Sequence, residues 1–238
     1  MSSELAPKPR HTVFRLHRNA SSGLASDDVG VTSAMDAISH FDHLQRICSQ
    51  DMSGIIDFLK TRRSVKPRNM TGNAPSESEI ETILTIGARV PDHGKLAPWR
   101  FIIFQGDARA RAGDIIADVY ARRNPEAPAD DVKRARESLS EAPLVIAVVS
   151  SPKTHPKVPP WEQQLSAGAC AFNIVTAATA LGYGANWLTG WFAYDRDVLT
   201  GLGLKAEEQL VGFIHIGGAE KNNEDRPRPA LADIVTRF

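Results

Sequence analysis

The stretch VPDHGKLAPWRF, residues 90–101, puts a carboxylate, an imidazole and an ammonium within four residues, at Asp92, His93 and Lys95. They precede a Pro-Trp pair and a β-type run, so a polar loop closes on a buried aromatic. A second polar group, Arg62-Arg63-Ser64, offers two guanidinium forks and a hydroxyl. Such forks hold a phosphate or the polar edge of a heterocycle. They equally suit the negative end of the helix before them, and both readings stand on the residues alone.

His93 has the chemistry of a metal ligand, a general base or a polar loop residue. No second His or carboxylate stands at the spacing of a metal motif, which argues against the first. Nucleophilic catalysis finds little support: there is no G-x-S-x-G, and Cys170 falls in an apolar segment that stabilises a thiolate poorly. GYGANW follows a helix and GLGLKA lacks a third glycine, so both read as helix caps and turns, not a dinucleotide fingerprint. There is no P-loop. What remains is a site that binds something polar and planar and leaves the chemistry to it, with no side chain assigned as catalytic.

The positioning elements follow from periodicity. SGIIDFLKTRR, with Ser53 as N-cap, reads as a short helix; SESEIETILTIGAR opens with Ser76 and Glu79 in capping-box spacing and continues as an amphipathic helix. WRFIIFQ and QLVGFIHIGG read as strands, and PLVIAVVS as a strand buried on both faces. Residues 107–124 and 129–141 are surface helices, and a short helix lies near 195–202. EQQLSAGACAFNIVTAATALG is apolar nearly all round and predicts a central buried helix. Strands and helices alternate too irregularly for repeated βαβ units, which predicts an α+β sandwich of helices around one sheet.

The chain has 238 residues, and 28 Lys+Arg balance 28 Asp+Glu, which argues against a nucleic-acid or membrane-surface binder. Two cysteines, Cys48 and Cys170, without a CxxC, point to a reducing cytoplasm. No apolar run is long enough to cross a bilayer. Residues 1–51 hold four of the seven histidines and little apolar periodicity, and are expected to be disordered apart from a short helix near 34–48. Pro7, Lys8, Pro9, Arg10 and His11 interrupt any secretory apolar stretch. A targeting peptide and a start set upstream of a domain beginning at Met52 are the two readings of that extension.

RRSV, GARVPDHGKLAPWRF, KVPPWEQQLSAGA, LGYGANWLTG and EEQLVGFIHIGG occur in the order and spacing of the nitroreductase family. From Met52 onward the chain resembles that family, most of all its compact YdjA-like branch. The resemblance implies a three-layer sandwich with a central mixed or antiparallel sheet, an intertwined homodimer and two FMN molecules at the subunit interface. It implies that Arg62, Arg63 and Ser64 grip the FMN phosphate and the polar edge of the ring system. It implies that Arg89 and His93 contact the flavin, one of them reaching the other subunit's FMN, and that Trp187, Leu188 and Thr189 lie along the isoalloxazine. In this branch the segment Ala177, Ala178, Thr179, Ala180, Leu181 and Gly182 is linked with the nicotinamide cofactor.

The activity so implied is hydride transfer from NAD(P)H through flavin N5 to a nitroaromatic, quinone or similar small-molecule acceptor, by a ping-pong mechanism. A flavin-scavenging protein and a dimeric interaction protein without turnover are the competing classes. One departure stands out. Much of the family has an amide, often Gln, where this chain has Ala97, a loss of one hydrogen bond worth roughly 0.5–1.5 kcal/mol. Lys95 is near enough in sequence to compensate. Arg226 and Arg228 read as solvated tail charges, with phosphate contact as the alternative.

Overall fold

The computed structural model describes residues 53–219 and 224–238. The expectation of disorder for residues 1–51 falls outside them. The first helix, α1, covers 53–61. It is followed by α2 (Glu77–Gly87), β1 (Trp99–Gln105), α3 (Asp107–Arg123), α4 (Ala129–Glu137), β2 (Leu144–Ser150) and α5 (Pro160–Ala180). β3 (Gly184–Leu188), α6 (Arg196–Gly201), β4 (Gln209–Gly217) and a last turn, α7 (Leu231–Ile234), complete the order.

The strands are ordered β1-β2-β4-β3, and every neighbouring pair is antiparallel. β2 is buried along its whole length because side chains alternate between two cores. Val145, Ala147 and Val149 pack with Ile116 and Val119 of α3, while Leu144, Ile146 and Val148 pack with Ile83 of α2 and Ile174 of α5. Helices therefore cover both faces of one sheet, which is the expected α+β sandwich. Each fully buried Ile or Leu contributes about 1.5–3 kcal/mol through the water it leaves.

Local chemistry sets the helix starts. Ser76 accepts the Glu79 amide while Glu79 Oε2 takes the Ser76 amide at 2.8 Å, the capping box expected of that spacing. Asp195 caps α6 through the amides of Asp197 and Val198. Pro160 starts α5 at a position where the missing N–H costs nothing.

α5 departs from expectation. Cys170, Ala171, Ile174 and Ala178 are buried, but Trp161, Leu165 and Phe172 are 66%, 54% and 47% exposed. An apolar residue reads the same whether its cover is the chain's own core or another surface. The apolar residues Ile55, Ile56 and Leu59 of α1 are likewise about half exposed.

Two buried polar groups matter for stability. Glu208 is 1% exposed and takes both Nε and Nη2 of Arg100, tying β1 to the turn before β4. Hydrogen bonding to Arg100 holds the carboxyl at about 2. Replacing Arg100 with Met strands that carboxylate, and the variant is expected to lose about 3 kcal/mol. Denaturant unfolding checks this, and a second substitution, Glu208→Gln, should recover part of the loss.

His215 on β4 is 3% exposed, its Nδ1 has no partner, and burial pushes its pKa from 6.5 down to about 4. The unfolded chain takes up this proton near 6.5 and the folded chain only near 4. Stability from His215 is therefore present above pH 6.5 and falls by about 3 kcal/mol as pH drops to 4. Urea midpoints of His215→Leu should fall less across that window than those of the parent chain; parallel curves would contradict the assignment.

Candidate functional site

The segment after α1 runs beside β3. Val65 donates its amide to Ala185 at 3.1 Å, and Asn186 Nδ2 reaches the Val65 carbonyl at 2.9 Å. This fixes Arg62 and Arg63 against the turn between α5 and β3. A cleft of about 380 Å³ opens there, bordered by Arg62, Arg63, Thr179, Gly182, Tyr183 and Gly184. Gly182 has φ +92°, a conformation an L side chain adopts only under strain, and it ends α5 by donating to Thr179. Tyr183 Oη donates to Glu79 Oε2 at 2.9 Å, joining the cleft wall to the capping box of α2.

The cleft is positively charged. Burial, then Arg228 and Arg63 beside it, lowers the pKa of Arg62 from its ordinary value. Asp225 Oδ1 stands 3.7 Å from Arg63 Nε and 3.4 Å from Arg228 Nη2, so one carboxylate serves a group of three guanidiniums. The Nε atoms of Arg62 and Arg63 are buried without a hydrogen-bond partner among the described residues. Arg62 also lies over the Phe172 ring at 5.7 Å, an attraction that orients a cation without neutralising it. Buried donors with surplus positive charge fit a phosphate or another polar anion. Arg228 belongs to this cluster, and Arg226 accepts its side chain through the main-chain carbonyl.

Trp187, Leu188 and Thr189 are exposed at the far end of β3. Trp187 lies three residues, about 10 Å, beyond Gly184. Its indole Nε1 donates to Val211 at 3.1 Å across Gly212, where a Cβ would stand only 2.1 Å from that nitrogen. Glycine at 212 is what lets the indole approach the strand this closely. Of the segment 177–182, Ala177 and Ala178 are buried in the core, Thr179 and Gly182 border the cleft, and Ala180 and Leu181 are exposed.

The loop 90–98 is held by its own carboxylate and by α5. Asp92 accepts the amides of Leu96 at 3.0 Å and Ala97 at 2.8 Å. Lys95 and Ala97 take φ of +55° and +44°, a left-handed backbone costing about 1–2 kcal/mol per side-chain-bearing residue. Ser166 on α5 bonds the Pro91 carbonyl at 2.7 Å and Trp99 Nε1 at 3.1 Å, and Asn173 bonds the carbonyls of Ile86 and Arg89. His93 Nδ1 meets Glu162 Oε2 at 2.7 Å, with the ring exposed. Glu162 and Phe172 are ten residues apart on α5, about 15 Å. Within one copy, therefore, His93 does not join the guanidinium of Arg62.

Burial pushes the Cys170 thiol up to about 12, which leaves it inert. The sequence reading set Arg228 among solvated charges and did not single out Asp225, Tyr183 or Phe172. The signals for them were a carboxylate just before two arginines, an aromatic within the apolar helix and another just past its end.

The nitroreductase family model matches residues 59–218. A protein of Escherichia coli (strain K12) named "Putative NAD(P)H nitroreductase YdjA" is 32% identical over 162 residues, covering 68% of this chain and 86% of the relative. A nitroreductase-like family protein from Bacillus cereus shares the fold with a TM-score of 0.66 at 23% identity, over 77% of this chain and 95% of its own. A Bacteroides fragilis nitroreductase with bound FMN superposes with a TM-score of 0.56 at 20% identity, over 77% and 98%.

The strained loop gives a prediction of its own. Ala97→Gly relieves a left-handed Cβ and should stabilise the chain by up to about 1 kcal/mol, read as a higher melting temperature. A lower one would show that the Ala97 methyl contributes packing that outweighs the strain. With the match across 59–218 and these relatives, the chain belongs to the nitroreductase family.

Proposed function

We propose that residues 52–238 form an FMN-binding NAD(P)H oxidoreductase domain that works as a homodimer on small molecules, in the cytoplasm and without nucleic acid or membrane. The observation that carries the reading is the pair of buried Nε atoms of Arg62 and Arg63 that make no hydrogen bond among the described residues, in a cleft with surplus positive charge. The relatives named above supply the cofactor chemistry that such a site would serve. Arg62 and Arg63, with Ser64 behind them and Arg228 beside them, hold the phosphate and the polar edge of the cofactor.

Trp187, Leu188 and Thr189 form an exposed wall along which a flat ring lies. Thr179 and Gly182, in the segment 177–182, border the place where the nicotinamide donor enters. Arg89 and His93 close the site from the partner copy. The bare faces of α1 and α5 support this assembly, because exposed apolar patches of that kind mark protein contacts. The His93–Glu162 contact sits next to Trp161 on that face, so a docked copy would carry its loop to its neighbour.

FMN held there would supply two-electron redox chemistry, by which hydride from NAD(P)H would reach a nitroaromatic, quinone or similar acceptor in alternating half-reactions. The chain's own contribution is orientation, positive charge at the cofactor's edge and exclusion of water by the aromatic wall. Lys95, fixed in its left-handed turn by the Asp92 clamp, brings an ammonium to the loop in which Ala97 has no side-chain amide.

Purified protein should take up one FMN per chain, and NADH or NADPH should bleach its visible absorbance until a quinone or nitroaromatic restores it. Bound flavin that neither donor bleaches would make the protein a flavin carrier; failure to take up FMN would leave a dimeric interaction protein. Arg63→Ala removes a charge-assisted contact and should weaken FMN binding about tenfold or more by fluorescence titration. Unchanged affinity would contradict the role given to Arg63.

A further inference from the structure

A second polar surface lies beside the loop 92–97, in the Pro-rich connection between β2 and α5. Residues 143–161 contain Lys153, His155 and Lys157 and no acidic residue. Lys153 and Lys157 are exposed. The connection is built as a rigid unit. Gln163, 2% exposed, accepts the Lys153 amide at 2.8 Å and donates to the carbonyls of Lys153 at 2.9 Å and Val158 at 3.2 Å. A buried amide used on both ends of a six-residue loop fixes the loop's shape.

His155 Nδ1 accepts the amides of Lys157 and Val158 at 3.2 and 3.1 Å. That sets the tautomer, because an accepting Nδ1 leaves the proton on Nε2. The loop also packs on its neighbour: Lys153 Nζ donates to the Leu96 carbonyl, and Val158 lies against Gly94. The nearby acids are already engaged. Asp92 is taken up by the Leu96 and Ala97 amides, and Glu162 by His93. Neither lysine is paired with a carboxylate among the described residues: Lys157 is exposed, and Lys153 is exposed with its ammonium on a carbonyl, so their positive charges stand on a preformed scaffold.

We propose that the loop 153–158 is the phosphate-binding rim of the donor site and selects a nucleotide that carries a 2′-phosphate, so that NADPH is preferred over NADH. The inference rests on the proposed function, which brings the loop 92–97 of the partner copy to the flavin; 153–158 arrives with it. Lys157 and the Nε2–H of His155 contact the phosphate, and Lys153 joins the two loops while adding charge. Preorganised donors of this kind bind phosphate without first having to be ordered.

Calorimetric titration of the FMN-loaded protein with adenosine 2′,5′-bisphosphate and with 5′-AMP reads the rim independently of turnover. The bisphosphate should bind about tenfold more tightly, and the difference should shrink with added salt. Lys157→Ala, an exposed change that leaves the loop's buried contacts in place, should reduce the difference, and Lys157→Arg should restore most of it. In donor kinetics the same Ala variant should lower the NADPH-to-NADH ratio of kcat/KM towards one.

Equal binding of the two nucleotides by the parent chain, or discrimination untouched by Lys157→Ala, would overturn the rim. Discrimination in binding without flavin reduction by either donor would keep the rim and overturn the oxidoreductase reading. Flavin reduction equally fast with both donors, together with equal nucleotide binding, would do the reverse.

Discussion

Three polar side chains on α5, Gln163, Ser166 and Asn173, hold the loops around the proposed flavin site by hydrogen bonds to main-chain groups. Gln163 fixes 153–158, Ser166 fixes Pro91 and the Trp99 indole, and Asn173 fixes the exit of α2 at Ile86 and Arg89. Buried carbonyls and amides need partners, and loops have no ladder to supply them. The helix that forms one core layer thus also sets where the polar loops stand. Its other end leads to Gly182 and the wall of the cleft, so one helix carries at its two ends the loops and the cleft that the proposed assembly would bring together from two copies.

That arrangement explains how the fold and the chemistry divide the chain. The two cores are built mainly of apolar side chains that alternate across the sheet, with His215 on β4 and Arg100 on β1 as polar exceptions. The groups suited to binding sit at the margins of the sheet: 62–65 beside β3, 187–189 at the end of that edge strand, 92–97 and 153–158 over the start of α5. Backbone strain at Lys95 and Ala97 is sustained because Asp92 and Ser166 over-determine the loop, which is the setting in which such strain persists at functional sites.

Much of this was legible in the residues. β1 coincides with WRFIIFQ because its apolar run is bounded by a proline and a glycine, and the Ser76–Glu79 box marks the start of α2 unambiguously. Arg62 and Arg63 border a cleft, and His93 stands apart from it against Glu162 within one copy. Other features could not be read. The type of Asp92 does not say that it accepts two amides four and five residues on. The helix EQQLSAGACAFNIVTAATALG was expected to be central and buried because periodicity records apolarity and not what covers it; Leu165 and Phe172 are bare in one copy. Arg228 lies far from Arg62 in sequence, and only the fold brings the two together.

The central claim is that each flavin site draws Arg62 and Arg63 from one copy and His93 from the other. Co-expression of an Arg63→Ala chain with a differently tagged His93→Ala chain, followed by isolation of the mixed dimer, tests it directly. Sites shared between copies would place both substitutions in one site and neither in the other. FMN titration of the mixed dimer should then show one site of parental affinity, absent from either variant homodimer. A mixed dimer whose two sites are both as weak as those of the variant homodimers would place all three residues in a single copy's site and contradict the account.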